Sequence, residues 1–149
     1  MLGTLVRLAA VAAMLSILPA KAVAAQDVRH LSGGGTASIS QVAMNVAVDG
    51  SGSASGSFEC LMAGRSGFVL GDFGLVHNMI VHGTPSTGSV DGSVVTFAGT
   101  ARLILDGRQH MDVHIQVWAD VATQSFQLTV VEVGTLPVET LVSGHIAMS

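Results

Sequence analysis

Cysteine, tyrosine and basic residues are scarce in this 149-residue chain, and each shortage removes a class of explanation. Cys60 is the only cysteine, so no disulfide can form within one molecule even in a compartment that permits it. It shares a strand face with Phe58 and Met62 and reads as a buried, inert thiol. A disulfide between molecules is one alternative. A reactive nucleophile is another, weakened because no electropositive neighbour is evident in sequence. Only 6 Lys and Arg residues stand against 10 Asp and Glu residues. A phosphate backbone needs cations to displace its counterions, so nucleic acid is a poor partner. Tyrosine is absent and tryptophan occurs once, whereas membrane-spanning barrels have aromatic girdles at both interfaces.

What is present begins with an export pattern. Residues 1–25 divide into a short head with Arg7, an apolar stretch over 8–18, a break at Pro19 and the small-residue tail Ala22-Val23-Ala24-Ala25. This is the three-part form of a cleavable signal peptide, cut after Ala24 or Ala25. The apolar stretch is about half the ~20 residues that a bilayer-crossing helix needs, so no membrane span is expected after processing. Removing Arg7 and Lys21 leaves 4 basic residues against the same 10 acidic ones and takes the net charge from -4 to -6. A secreted or periplasmic protein is the expectation, with residues 26–35 as a flexible leader and 36–149 as a single all-β domain.

The rest of the chain alternates apolar and polar residues with period two, the mark of strands with one dry face. Val42, Met44, Val46 and Val48 make one inward row, and Phe58, Cys60 and Met62 make the next. Ile39 is out of phase with Val42, which places a bulge or break near Ser40. The stretches 68–70 and 75–82 resist phasing because apolar residues occupy both parities. Residues 83–92, with Pro85 and many small polar residues, read as a loop holding at most a short paired segment.

The last third is the clearest. Val95, Phe97, Gly99, Ala101, Leu103 and Leu105 answer Met111, Val113, Ile115, Val117 and Ala119 across an Asp106-Gly107-Arg108 turn. Both rows are odd-numbered, so the loop must hold an odd number of residues. A three-residue loop with a left-handed Gly fits. In that register Leu103 faces Met111, Ala101 faces Val113 and Arg102 faces Asp112. Phe126, Leu128 and Val130 move to even positions, which demands an even-numbered loop between Ala119 and Phe126. Val142, Gly144, Ile146 and Met148 complete the inward set. With no sustained helical period outside the signal, the fold class is all-β, a single antiparallel β-sandwich or small closed β-barrel of about seven to nine strands.

Several segments together resemble the small all-β domains of post-COAP type found in bacterial exported proteins. They are Gly33-Gly34-Gly35, Ser55-Gly56-Ser57-Phe58, Val95-Thr96-Phe97-Ala98-Gly99-Thr100-Ala101 with Asp106-Gly107, residues 113–120, Ser125-Phe126-Gln127-Leu128 and Gly144-His145-Ile146. The resemblance spans nearly the whole processed chain and implies a fold and an export habit, without an established activity.

His110, Asp112 and His114 share one outer strand face and are the nearest approach to a ligand cluster. Neighbours two apart lie about 6.6 Å from each other and the two His about 13 Å, so a metal would need a third ligand from an adjacent strand. A solvated face with one Arg102–Asp112 salt bridge is the plainer reading. His77 and His82 face opposite ways, and His30 and His145 lie near opposite termini. No Ser occupies a strand-to-helix elbow, and Arg65, Ser66 and Asp72 form no evident catalytic set.

Trp118 falls on an outer row opposite Thr96, with Gln116 and Asp120 nearby. An aromatic plate beside polar groups can stack a sugar or anchor a protein. Ile104, Val94, Val131 and Val133 make the same outer row more apolar than a fully solvated face, which favours a contact surface. The sequence therefore points to a non-catalytic exported β-domain with no cofactor. It would bind a protein, cell-envelope component or glycan through the face containing Trp118 and Ile104, or pair with a second copy of itself. A small metal-dependent hydrolase using His110, Asp112 and His114, and a small outer-membrane barrel, are the alternatives.

Overall fold

The computed structural model describes residues 27–64 and 78–149. The export pattern, the stretch 68–70, the beginning of 75–82 with His77, and Arg65, Ser66 and Asp72 lie outside those residues.

Nine strands follow one another: β1 (Arg29–Ala37), β2 (Gln41–Val48), β3 (Ala54–Met62), β4 (Met79–Asp91), β5 (Val94–Leu105), β6 (Gln109–Asp120), β7 (Ser125–Val130), β8 (Gly134–Thr135) and β9 (Glu139–Met148). No helix occurs among the described residues. Each strand from β1 to β7 pairs antiparallel with the next, and β9 returns to lie between β7 and β1, so the sheet closes as a ring. β8 pairs only with the end of β7. Closure of this kind removes the free edges an open sheet would offer for aggregation.

Alternation fills the ring with one apolar core. Val42, Met44, Val46 and Val48 point inward with Phe58, Cys60, Met62, Val95, Phe97, Leu103, Ile115, Val117, Phe126 and Leu128, all buried. The rings of Phe58 and Phe97 meet edge to face at 5.8 Å and 63°, a geometry that adds about 0.5–1.5 kcal/mol beyond burial itself. The β5–β6 register has Leu103 opposite Met111, Ala101 opposite Val113 and Arg102 opposite Asp112, as the parity argument requires. The three turn residues use positive φ at Gly107 (65°) and also at Asp106 (51°).

Four expectations are corrected, each for a physical reason. Residues 29–35 form most of β1 rather than a leader, paired on both sides by β2 and β9. Glycine is required there by close approach: a Cβ on Gly34 would strike the Val42 carbonyl, and Gly33 sits at φ 126°. Residues 83–91 are strand rather than loop. β4 runs straight through Pro85, and the register shifts between Pro85 and Thr87, which flips the parity of its second half. β9 contains a second irregularity, since Thr36 faces Ser143 while Ala37 faces Leu141. Val142 is the extra residue and is 72% exposed rather than inward, and Gly144 is exposed as well. Met111 keeps its inward parity but lies at the open end of the ring and is 37% exposed.

Two polar devices complete the closure. Glu139 is 1% exposed, and its carboxylate accepts bonds from the Ile39 and Ser40 amides at 3.0 Å and from the Ser40 hydroxyl at 2.9 Å. It thereby ties the start of β9 to the β1–β2 turn, and this turn is the break anticipated near Ser40. Gln124, at φ 55°, supplies its side-chain amide as a substitute strand residue. Its Nε2 donates to the Ile146 carbonyl and its Oε1 accepts from the Ile146 amide, both at 2.9 Å. Backbone pairing between β7 and β9 covers only Ser125–Thr140 and Phe126–Glu139, so this amide extends a short seam.

Candidate functional site

The outer wall over β3 to β7 is organised in rows, because in-register antiparallel strands place outward residues side by side. Leu61, Ile80, Ile104 and His110 form one row and Glu59, His82, Arg102 and Asp112 the next. Thr84, Thr100 and His114 follow. Beyond the β4 bulge come Thr87, Ala98, Gln116 and Thr129, then Ser89, Thr96, Trp118 and Gln127.

The last two rows enclose a groove of about 460 Å³, within the range of roughly 300–1,000 Å³ usual for small-molecule sites. Its polar rim is built by cross-strand pairs. The Ser89 and Thr96 hydroxyls lie 2.7 Å apart, and those of Thr129 and Thr135 lie 3.0 Å apart. Gln127 is fixed by donating from Nε2 to the Leu136 carbonyl at 2.9 Å, which leaves its Oε1 as an acceptor. Trp118 is half-buried, with no polar partner for its indole N–H among the described residues and no buried unsatisfied atom. Ala98 leaves the low point beside it. The β2–β3 turn closes one end, where the Gly88 amide bonds to the Gly52 carbonyl at 3.0 Å.

Among the described residues no Asp, Glu, Lys, Arg or His lines this groove. Charge lies at the adjoining end of the ring, where Asp27, Arg29 and Asp49 line a neighbouring cleft and Asp91 and Asp120 end β4 and β6. The Ser51 hydroxyl and Ser53 amide hold the Asp49 carboxyl below the usual carboxylate range. Hydrogen bonds from Ser93 and the Ala122 amide do the same for Asp120. Both sets of bonds favour the ionised form of those two carboxyls.

His110, Asp112 and His114 do share the exposed face of β6, but each is placed among other partners. Asp112 meets Arg102 at 3.7 Å. His114 Nδ1 lies 2.6 Å from Glu132, whose other oxygen accepts from the His114 amide at 2.8 Å. The His114 contacts hold the Glu132 carboxyl below its ordinary value. Among the described residues no group of three or more His, Cys, Asp or Glu side chains is placed to hold a metal ion. Glu132 follows β7 in a turn, where no strand register predicts a partner from sequence.

His82 pairs instead with Glu59 at 3.2 Å, and the ring brings β1 with His30 beside β9 with His145. Cys60 is buried next to Ser40, and burial pushes its thiol up to about 12. The thiolate that a nucleophile needs is therefore suppressed.

Trp118 and Ile104 occupy the same wall without forming one patch. Thr96, the partner of Trp118, is eight residues from Ile104 along β5, roughly 27 Å at the antiparallel rise. Ile104 belongs to a separate, half-buried apolar band with Leu61 and Ile80. Val131 is exposed, and Val133 packs partly against the core.

No family model, no curated protein and no solved structure matches this chain.

Proposed function

We propose that this chain is a non-catalytic, exported binding module that acts through the Trp118 groove. The observation that supports it most is the combination of a half-buried tryptophan, uncommitted polar groups and an uncharged lining in one depression of a closed, otherwise well-paired wall. Rigid strands hold these groups in place before any ligand arrives, which limits the ordering cost of binding. The export pattern over 1–25 supports a secreted or periplasmic location, and the resemblance to post-COAP-type domains fits the same habit.

The two other readings have less support. A hydrolase built on His110, Asp112 and His114 would have to detach Asp112 from Arg102 and His114 from Glu132. A membrane barrel needs an outward apolar band, whereas the outward rows here include Glu59, His82, Arg102, Asp112, Gln116 and Gln127.

Retention of the processed chain on cell-envelope and extracellular fractions tests the proposal. Trp118→Ser should abolish retention while circular dichroism stays unchanged, and Ile104→Ser should leave retention intact. Full retention by a folded Trp118→Ser protein would overturn it.

A further inference from the structure

Resting on that reading, we infer that the Trp118 groove takes an uncharged carbohydrate chain. The groove presents one aromatic plate and a surround of hydroxyl and amide groups, with no fixed charge to neutralise an ionic partner. A pyranose ring matches this set because one face carries C–H groups that pack on an aromatic surface while its edge carries hydroxyls that both donate and accept.

The hydrogen-bonding groups left open are also mixed in sense. The indole N–H of Trp118 donates, Gln127 Oε1 accepts, and the Gln116 amide does both, with no side-chain partner for Gln116 among the described residues. A purely apolar peptide segment would leave these groups unmatched on desolvation. A phosphate, uronate or other anionic polymer would find no cation among the described residues of the groove, and in the adjoining cleft Arg29 stands beside Asp27 and Asp49, so the acidic groups outnumber it. The depression is open along the wall and about 460 Å³, which suits a few rings of a chain passing across the strands better than an enclosed single molecule.

The molecule contains its own reporter. Trp118 is the only tryptophan and tyrosine is absent, so near-ultraviolet emission comes from this groove alone. The processed full chain would be titrated with neutral oligosaccharides of glucose, mannose, xylose and N-acetylglucosamine, and with polygalacturonate as the anionic control. At least one neutral series should shift the emission saturably to the blue, with polygalacturonate inert. Gln116→Ala, whose side chain has no structural partner to lose, should weaken that binding roughly tenfold, equivalent to about 1.4 kcal/mol.

Stronger binding of polygalacturonate than of any neutral series would overturn the inference. So would an unmoved emission across the whole neutral panel. If retention on envelope fractions still required Trp118 in that case, the binding-module reading would stand and its partner would be something other than a neutral glycan. If retention were also independent of Trp118, both would fall.

Discussion

The wall made by β9, β1 and β2 and the wall made by β3 to β7 cover one core, yet their outer faces are built largely from different materials. The first presents mostly small residues on its outer side, among them Ser32, Gly34, Ala43, Asn45, Ala47 and Ala147, with His30, Gln41 and His145 as the larger ones. The second presents His82, Arg102, His114, Gln116 and Trp118, joined across strands by hydrogen bonds and ion pairs. One wall is held by closely approaching backbone; the other spends its surface on side chains that can meet a ligand. The difference teaches where to look for function in a fold whose interior is uniformly apolar.

The sharpest way to break that contrast is to add bulk to the backbone-packed wall. Gly34→Val should cost on the order of 4 kcal/mol or prevent folding, because its Cβ would meet the Val42 carbonyl and β2 and β9 hem the strand in on both sides. The same residue type introduced on the other wall, Thr100→Val, should stay within about 0.5 kcal/mol. Urea unfolding of both variants measures the difference, and similar midpoints would dissolve the distinction.

Next comes the clasp between the walls. Glu139→Ala leaves the Ile39 and Ser40 amides without their acceptor and should lose about 3 kcal/mol. Glu139→Gln, which keeps one acceptor oxygen, should recover part of that loss in thermal melts.

A smaller effect is expected at the acidic end of the ring. Asp49 has its pKa lowered by bonds to its charged form, so its contribution is fully present above the ordinary value of 3.8 and disappears as pH falls through the depressed value. Asp49→Asn should therefore be less stable than the parent at neutral pH, with the gap closing as pH falls below the ordinary value of 3.8. Unfolding midpoints across that range would refute this if the gap widened in acid.

The smallest response belongs to Cys60. Its buried thiol, pushed up to about 12, should resist alkylation in mildly alkaline buffer and react fully in denaturant. Rapid labelling of the native protein would mean that the wall around β3 opens.

Much of the ring was legible because burial on one face writes itself into every second residue. The β2, β3, β5, β6 and β7 rows, the odd-numbered Asp106-Gly107-Arg108 turn and the Arg102–Asp112 pair all follow from parity alone. Legibility failed where parity breaks. β1 carries three consecutive glycines, which have no side chain to alternate, and β4 and β9 each change face at an irregular position. The groove was half visible. Trp118, Gln116 and Thr96 lie on strands whose register could be derived, whereas Ser89, Gln127 and Thr129 reach it through the misread half of β4 and the pairing of β7.

The sequence alone therefore determined which side chains avoid water, since periodic hydrophobicity is a local property of a strand. Tertiary closure decided which outward side chains become neighbours. Strand order, two shifts of register and the Glu139 and Gln124 contacts that seal the seam brought β3 to β7 into one wall. Those depend on residues distant along the chain meeting at fixed spacing, and no local pattern encodes such a meeting.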